Sequence, residues 1–496
     1  MAVPDDLGGR EPRFIPPERE VGRAEIIFAQ GVERYEAGDQ EGAVTAFTQA
    51  LAIDPDLVPA LGILFGIRFA QQRYADAVVM LERLLMLDPE TEQGFLFLAE
   101  CYLQLGQSSA ALEAFTRLLA RHPDQPEGLA ALGETLLALG RLAEAQAYLA
   151  RLRTAHPSLD LGFVLGARAA LLTREFSEAL ALAEAALERR ADRGETYLIR
   201  GAAMLELGEL AHARQELQRG VELEPDNPTG HLLLGTVELE LGHPARAIPA
   251  LEHARTFAVR APEFAAELAL TLALAYRASA RLDEAVALLQ EAIRVHPQRA
   301  LPYQYLTELY FEREQYPQAL ETLTLLLTQQ LDPPVALFAE YNRGVALFAL
   351  ERYNEAEAAF TEALVQEPSF TLGHLQLGTL QTSQGRYSEA IEHFQSVIRL
   401  TPESPEGYAG LGQAYLGLGV FAEAIAVLTQ ALTRDPENLY ARLNLLEAFL
   451  GAGRDQAASE EFRVIARLDP ETARQVIVLH PQFAVDWDRD QRRKAS

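Results

Sequence analysis

Apolar residues along this chain repeat on two nested periods, and the shorter one is helical. In the stretch Pro405–Pro436, Tyr408, Leu411, Gly412 and Tyr415 share one face. A few residues on, Phe421, Ala424, Ile425, Leu428, Ala431 and Leu432 share another. Both sets follow the i, i+3, i+4, i+7 spacing of an amphipathic helix. The punctuation agrees. Ser404 suits the cap of the first helix, where a side-chain oxygen accepts from a free backbone N–H. Pro405 suits its first turn, having no N–H to leave unpaired. Gly419 suits the left-handed residue that ends this helix. Asp435 stands before Pro436, and a proline disfavours helix in the residue ahead of it.

The longer period is 34 residues. The Ala424 position recurs as Ala43, Ala77, Ala111, Ala145, Ala179, Ala213, Ala247, Ala285, Ala319, Ala356, Ala390 and Ala458, so all 13 copies carry alanine. The step is 34 except for 38 between Ala247 and Ala285 and 37 between Ala319 and Ala356. The Gly412 position holds Gly, Ala or Thr in every copy except Phe65 and Leu446. The Pro436 position is proline except at Ala191, Val259 and Leu331. Small residues at fixed positions let two helix backbones approach, while the larger apolar residues around them fill the space that remains.

A 34-residue period of two helices, with small residues at the Gly412 and Ala424 positions and a closing proline, resembles the tetratricopeptide repeat. The resemblance spans roughly residues 24–470. It implies an all-α fold, tandem helix–turn–helix repeats stacked into a right-handed superhelical solenoid. It also implies that the first helix of each repeat lines the concave side, where extended peptides or helices of other proteins bind.

The chain then divides as follows. Residues 1–23, with four prolines and a Gly-Gly pair, read as a mobile leader with helix beginning just after Pro17, and Phe14 and Ile15 suit the exposed face of the first repeat. Residues 24–261 hold repeats one to seven, and residues 262–470 hold repeats eight to thirteen. Residues 471–496 form a capping helix and a polar tail. The 38-residue step adds about one helical turn, expected as a longer second helix or a wider loop near Pro262. The Pro333–Pro334 pair marks the other irregular step and predicts a local bend. Repeat five is the least typical, with Arg174 at the usual glycine turn. Val476 and Leu479 are expected to cover the last repeat, as a terminal cap should. Trp487 is either a docking point or packed on that repeat.

Charge narrows the function. Against 43 basic residues stand 71 acidic ones, a net charge of −28. Such a chain repels phosphate backbones, which disfavours nucleic acid as a partner, and the excess acid keeps a Leu- and Ala-rich array in solution. Lys494 is the only lysine among the basic residues, a composition that points to a GC-rich bacterial genome. No apolar run reaches the roughly 20 residues of a membrane span, and the N-terminus lacks the basic start and apolar core of a signal peptide. A soluble cytoplasmic protein is expected. The single cysteine, Cys101, lies in a helical pattern and reads as a packed residue.

The sequence offers no catalytic constellation. There is no phosphate-binding loop, H-E-x-x-H, G-x-S-x-G or C-x-x-C, so no enzyme, cofactor or metal is expected. His122, His156 and His296 each precede a repeat-ending proline, a repeat or more apart; His231, His243 and His253 fall within one repeat and are the only histidines expected to converge.

What remains is the face opposite the packing stripe of each first helix, which in repeat twelve carries Glu406, Ala409, Gln413, Leu416 and Gly417. Chaperone-tail binders of the resembled family clamp a carboxylate in these slots with lysine, arginine and asparagine. Here the slots hold mostly Leu, Ala and Glu, with Arg168 and Arg277 far apart, and the clamp is absent. The asparagine ladder of the nucleocytoplasmic sugar transferases is missing too: only Asn342 and Asn444 occupy the Gly410 slot. The carboxylates are Glu100, Glu134, Glu206, Glu240, Glu308 and Glu312. In repeats nine and ten the slots turn aromatic, with Phe311, Phe338, Tyr341 and Phe348. Exposed aromatic residues are enriched at binding hot spots; the alternative is that neighbouring repeats bury these rings, since inner slots also pack along the stack. Phe311, Phe338, Tyr341, Phe348, Glu308 and Glu312 are therefore the expected partner-binding residues, suited to a protein or peptide with apolar and basic residues. A scaffold of this kind is the favoured function. The alternatives are a self-associating structural protein and the regulatory subunit of an enzyme complex.

Overall fold

The computed structural model describes residues 17–190, 192–257, 262–484 and 487. Among them are 27 α-helices and no strand. Twenty-six pair off as the first and second helices of thirteen repeats, and the last is the cap Pro470–Leu479. The fold is thus an all-α solenoid of tandem helical hairpins. The chain forms two compact units, Met1–Ala258 and Val259–Ser496, and each is described by itself.

The thirteen alanines are the pivot of every hairpin, and each is fully buried. At Gly412 an added Cβ would run into the side chain of Leu428, on the second helix of the same repeat. Gly235 stands in the same relation to Leu251. The small slot on one helix therefore receives a large side chain from its partner, and core positions of this kind have no spare volume. The turn between the two helices requires a left-handed residue, which Gly419 supplies at φ 72°. Arg174, Ala280, Glu314 and Glu351 do the same without being glycine, at φ 55–63°, a conformation that is unfavourable for residues bearing a Cβ.

Both irregular steps lengthen a first helix at its N-terminus. Repeat eight begins with Pro262–Ala278, 17 residues, where Pro405–Gly417 in repeat twelve has 13. The preceding second helix, Pro244–Phe257, keeps the usual 14 residues, so the extra turn does not go there. Repeat ten likewise opens with the 17-residue Pro333–Ala349, after a second helix cut to Tyr316–Leu326. Pro333 and Pro334 form the first turn of that longer helix, where proline costs no hydrogen bond. At the N-terminus the first helix starts at Pro17, at the point the prolines of the leader suggest. Phe14 and Ile15 lie outside the described residues.

Two local expectations change. Ser404 occupies the cap position but makes no capping bond, and its hydroxyl donates to Glu406 Oε2 at 2.5 Å. At the C-terminal end Val476 is buried, but Leu479 is 74% exposed and Val478 80%. Ala473, Val476 and Phe483 cover the last repeat instead. The chain turns at Pro481, and the Phe483 ring stacks on Phe462 with centroids 4.8 Å apart and planes 9° from parallel. Trp487 packs against the same cluster.

A recurring latch joins consecutive repeats. Arg434 lies 4.0 Å over the Tyr408 ring and donates from Nε to the carbonyl of Pro402, the closing proline of the repeat before. Arg189, over Phe163, does the same to Pro157. Elsewhere the residue at the Tyr408 slot reaches that carbonyl itself: Tyr303 to Pro297, His231 to Pro225, His374 to Pro368. These bonds satisfy a carbonyl that the helix end leaves free, and they account for two of the scattered histidines.

Candidate partner-binding groove

In each unit, neighbouring first helices touch one another. This holds for Pro126–Ala138, Asp160–Leu172, Gly194–Glu206 and Pro228–Glu240 in the first, and for Pro333–Ala349, Thr371–Ser383, Pro405–Gly417 and Leu439–Gly451 in the second. Neighbouring second helices stand further apart. A stack that is tighter on one side curves toward that side, so the first-helix slots form the inner face.

In repeats three to seven of the first unit that face is mostly leucine, alanine and glutamate. Glu100, Glu134, Glu206 and Glu240 are exposed, as are Leu103 at 38% and Leu172 at 51%. Arg168 lies between the carboxylates of Glu134 and Glu195 in the two flanking repeats. Just beyond it Leu171, Phe176, Ala202, Leu205 and Leu233 line a depression of about 290 Å³, with Arg174 and Glu206 at its rim, 3.7 Å apart. Its walls come from three successive repeats. Nothing in the spacing of one repeat announces it; the signal in the sequence was the run of leucines at inner slots of repeats five and six.

The second unit places the expected site residues differently. Phe311 and Phe338 pack in one cluster with Tyr303, Leu323 and Leu326, and Phe311 lies 6.1 Å from the Tyr316 ring. Tyr341 and Phe348 belong to a second cluster around Phe360 and Leu377. Tyr341 meets Phe370 edge-on at 5.2 Å, and Phe348 meets Tyr353 at 5.7 Å. Burial pushes the Tyr341 phenol above its ordinary value, and a hydrogen bond with Gln376 works against that shift. All four rings are half-buried. Each packs on this chain and leaves part of its surface accessible. Glu308 and Glu312 are also engaged: Arg277, one repeat earlier, donates to Glu308 at 2.9 Å and also bonds Glu312. These are half-exposed pairs, worth about 0–1 kcal/mol each, so a competing cation displaces them at small cost.

His231 and His253 do converge, with rings 4.3 Å apart and both Nε2 atoms at the Pro225 carbonyl. His243 goes instead to Glu238, 3.1 Å away. A pair the sequence did not single out, His374 and His393, brings its Nδ1 atoms to 3.0 Å. Among the described residues no group of three or more His, Cys, Asp or Glu is arranged to hold a metal. The Cys101 thiol is buried and pushed up to about 11, first by burial and then by Glu100, which keeps it protonated and unreactive. No helix among the described residues is long and apolar enough to cross a membrane.

Stacked two-helix repeats with an inner face of this kind define an α-solenoid of the protein-binding class. Tetratricopeptide-repeat family models match residues 34–101, 68–130, 102–160, 276–339 and 415–476, and further models of that repeat match 164–228, 232–300, 338–370 and 378–419. The chain belongs to the tetratricopeptide repeat family. Solved structures with a similar fold include the APC/C hetero-tetramer Cut9–Hcn1, 15% identical over 92% of this chain and 95% of that one, TM-score 0.38. Yeast Tom70 is 17% identical over 87% and 96%, TM-score 0.37. A tetratricopeptide repeat protein from Parabacteroides merdae is 16% identical over 51% and 99%, TM-score 0.42. A search of curated proteins finds no match.

Proposed function

We propose that this chain is a non-catalytic scaffold that takes an extended or helical segment of a partner protein along its inner face. The observation that carries this is the leucine-lined depression of repeats five to seven, with exposed Glu134 and Glu240 in the flanking slots. A hole of about 290 Å³ accommodates one large apolar side chain, and the carboxylates favour arginine or lysine on either side of it. The partner is therefore a segment with apolar anchors and basic flanks. In the second unit Phe311, Phe338, Tyr341 and Phe348, with Glu308 and Glu312, are proposed as a further contact, made against ring edges and in exchange for Arg277.

The test is crosslinking of the full chain to its partner in source cells, followed by titration of that partner against Leu205→Arg and against a Tyr341→Ala, Phe348→Ala double variant. Loss of at least tenfold in affinity for Leu205→Arg with unchanged helicity supports the reading. Crosslinks that map only to second helices would sink it. A second reading, self-association, is favoured by Val478 and Leu479, which stand exposed on the terminal helix. Sedimentation of the wild type beside Val478→Asp, Leu479→Asp decides it: a dimer that the variant abolishes supports self-association, and a monomer at all concentrations removes it.

A further inference from the structure

A second depression lies on the other side of the first unit, away from the groove. It is a cleft of about 370 Å³ between the second helices of repeats six and seven, Leu210–Leu223 and Pro244–Phe257. Its floor is Leu234 and Glu238 of Pro228–Glu240. Each stands two residues from the inner-face slot Thr236, about 200° around the helix, and so faces outward. Arg214 and Gln218 form one wall and Arg246 the other. Glu238 is only 8% exposed, and its carboxylate is met by His243.

The two arginines are the unusual part. The chain carries 71 acidic residues, and nearby guanidiniums find them: Arg193 pairs with Asp160 and Arg200 with Glu216. Arg214 and Arg246 make no side-chain hydrogen bond or ion pair among the described residues. Two unmatched forks thus face one cleft that holds a single buried carboxylate.

We propose that this cleft binds the carboxylate of a glutamate side chain on an acidic segment of a partner protein. Arginine forks match the planar, two-oxygen geometry of a carboxylate. One added negative charge balances two guanidiniums and Glu238. A phosphate dianion would leave an excess of negative charge against the Glu238 carboxylate. Gln218 supplies a further amide donor, and Leu234 takes the methylenes of the incoming side chain. The acidity of the rest of the chain does not forbid this, because charges beyond about 8–10 Å are screened at physiological salt. The segment recognised here is of opposite charge to the one proposed for the groove, so the two sites are independent.

The experiment is fluorescence polarisation with the full-length chain and a labelled, end-blocked peptide carrying two glutamates. The same peptide with glutamines is the control, and glutarate and inorganic phosphate are the competitors. The expected result is binding of the glutamate peptide at least tenfold tighter than the glutamine peptide. Arg214→Gln with Arg246→Gln should lose at least tenfold with helicity unchanged. Arg214→Lys with Arg246→Lys should fall between, because an ammonium lacks the fork. Arg246 is exposed, so Arg246→Gln alone serves if the double variant unfolds. Three results overturn the proposal. One is equal binding of the glutamine peptide or of the folded variant. Another is phosphate competing better than glutarate. The third is glutarate displacing the peptide at concentrations no higher than the peptide's own Kd, which would make a free small dicarboxylate the ligand. Each leaves the groove reading untouched, since Leu205→Arg has no part in this cleft.

Discussion

The inner faces of the two units share one backbone plan and differ in what fills it. In repeats three to seven of the first unit the slots carry mostly leucine and glutamate, Leu103 and Leu172 stand exposed, and three repeats leave a hole between Leu171, Leu205 and Leu233. In repeats nine and ten of the second unit the slots carry rings, and three of those rings lie on Tyr316, Tyr353 and Phe370 of the same chain. A large side chain in an inner slot is long enough to reach the neighbouring repeat and close the gap that a leucine leaves open. The repeat's own packing, alanine against glycine and leucine, is unaffected, so the slots are free to vary. An aromatic groove residue is thus evidence of self-filling as much as of binding, and a leucine-lined slot is the more open of the two.

The largest expected effect tests whether the second unit depends on its rings. Tyr341→Ala with Phe348→Ala removes two half-buried rings and should destabilise that unit by about 2–4 kcal/mol, below the full cost of two buried phenyl groups. Leu172→Gln in the first unit should change stability by less than about 0.5 kcal/mol, because the side chain is half in water. Denaturant midpoints of the two variants check this, and equal shifts would erase the contrast. Next in size is a change that should not distinguish the units. Ala179→Leu and Ala390→Leu both overfill a fully buried crossing and should each cost about 1–3 kcal/mol. A tolerant Ala179 beside an intolerant Ala390 would mean that the hairpins are not equivalent. A smaller gain is expected from Ala280→Gly in the second unit, where φ is 57°. Relief of the left-handed strain, set against the extra freedom of an unfolded glycine, leaves about 0.5–1 kcal/mol of stabilisation. Thermal unfolding detects it.

The smallest effect is one of pH, and each unit carries its own source. Burial first, and then the neighbouring histidine, push His393 below its ordinary value. Burial also lowers His231, partly offset by the Pro225 carbonyl and reinforced by His253. An unfolded histidine takes up its proton near pH 6.5, while these two resist it. Their contribution to stability is therefore present above about pH 6.5 and is lost as the pH falls from there toward their lower folded values. His393→Gln should flatten the loss between pH 7 and 5 in the second unit, and His231→Gln in the first. A slope unchanged in both variants would assign the acid sensitivity to other groups.

The latch at the Tyr408 slot shows where legibility ends. The fold was readable because the contacts that make a hairpin recur thirteen times at fixed separations, so Ala424 and Gly412 stand out against a background that varies. The Arg434–Tyr408–Pro402 contact was not, because arginine, tyrosine and histidine substitute for one another there and only the shared carbonyl is constant. The cap misled for a similar reason. Leu479 follows the buried Val476 at a helical spacing, yet the turn at Pro481 delivers Phe483 to the core in its place.

The sequence by itself determined the repeat, its length, its close crossings and the identity of the inner-face slots, because all of these rest on contacts between residues fewer than 34 apart that recur with few exceptions from copy to copy. Only the tertiary structure decided which slots are open. That depends on side chains from successive repeats, such as Arg277 against Glu308 and Glu312, Tyr341 against Phe370, and Leu171 with Leu205 and Leu233. Their sizes and charges follow no period, so what they enclose appears only when the repeats are stacked.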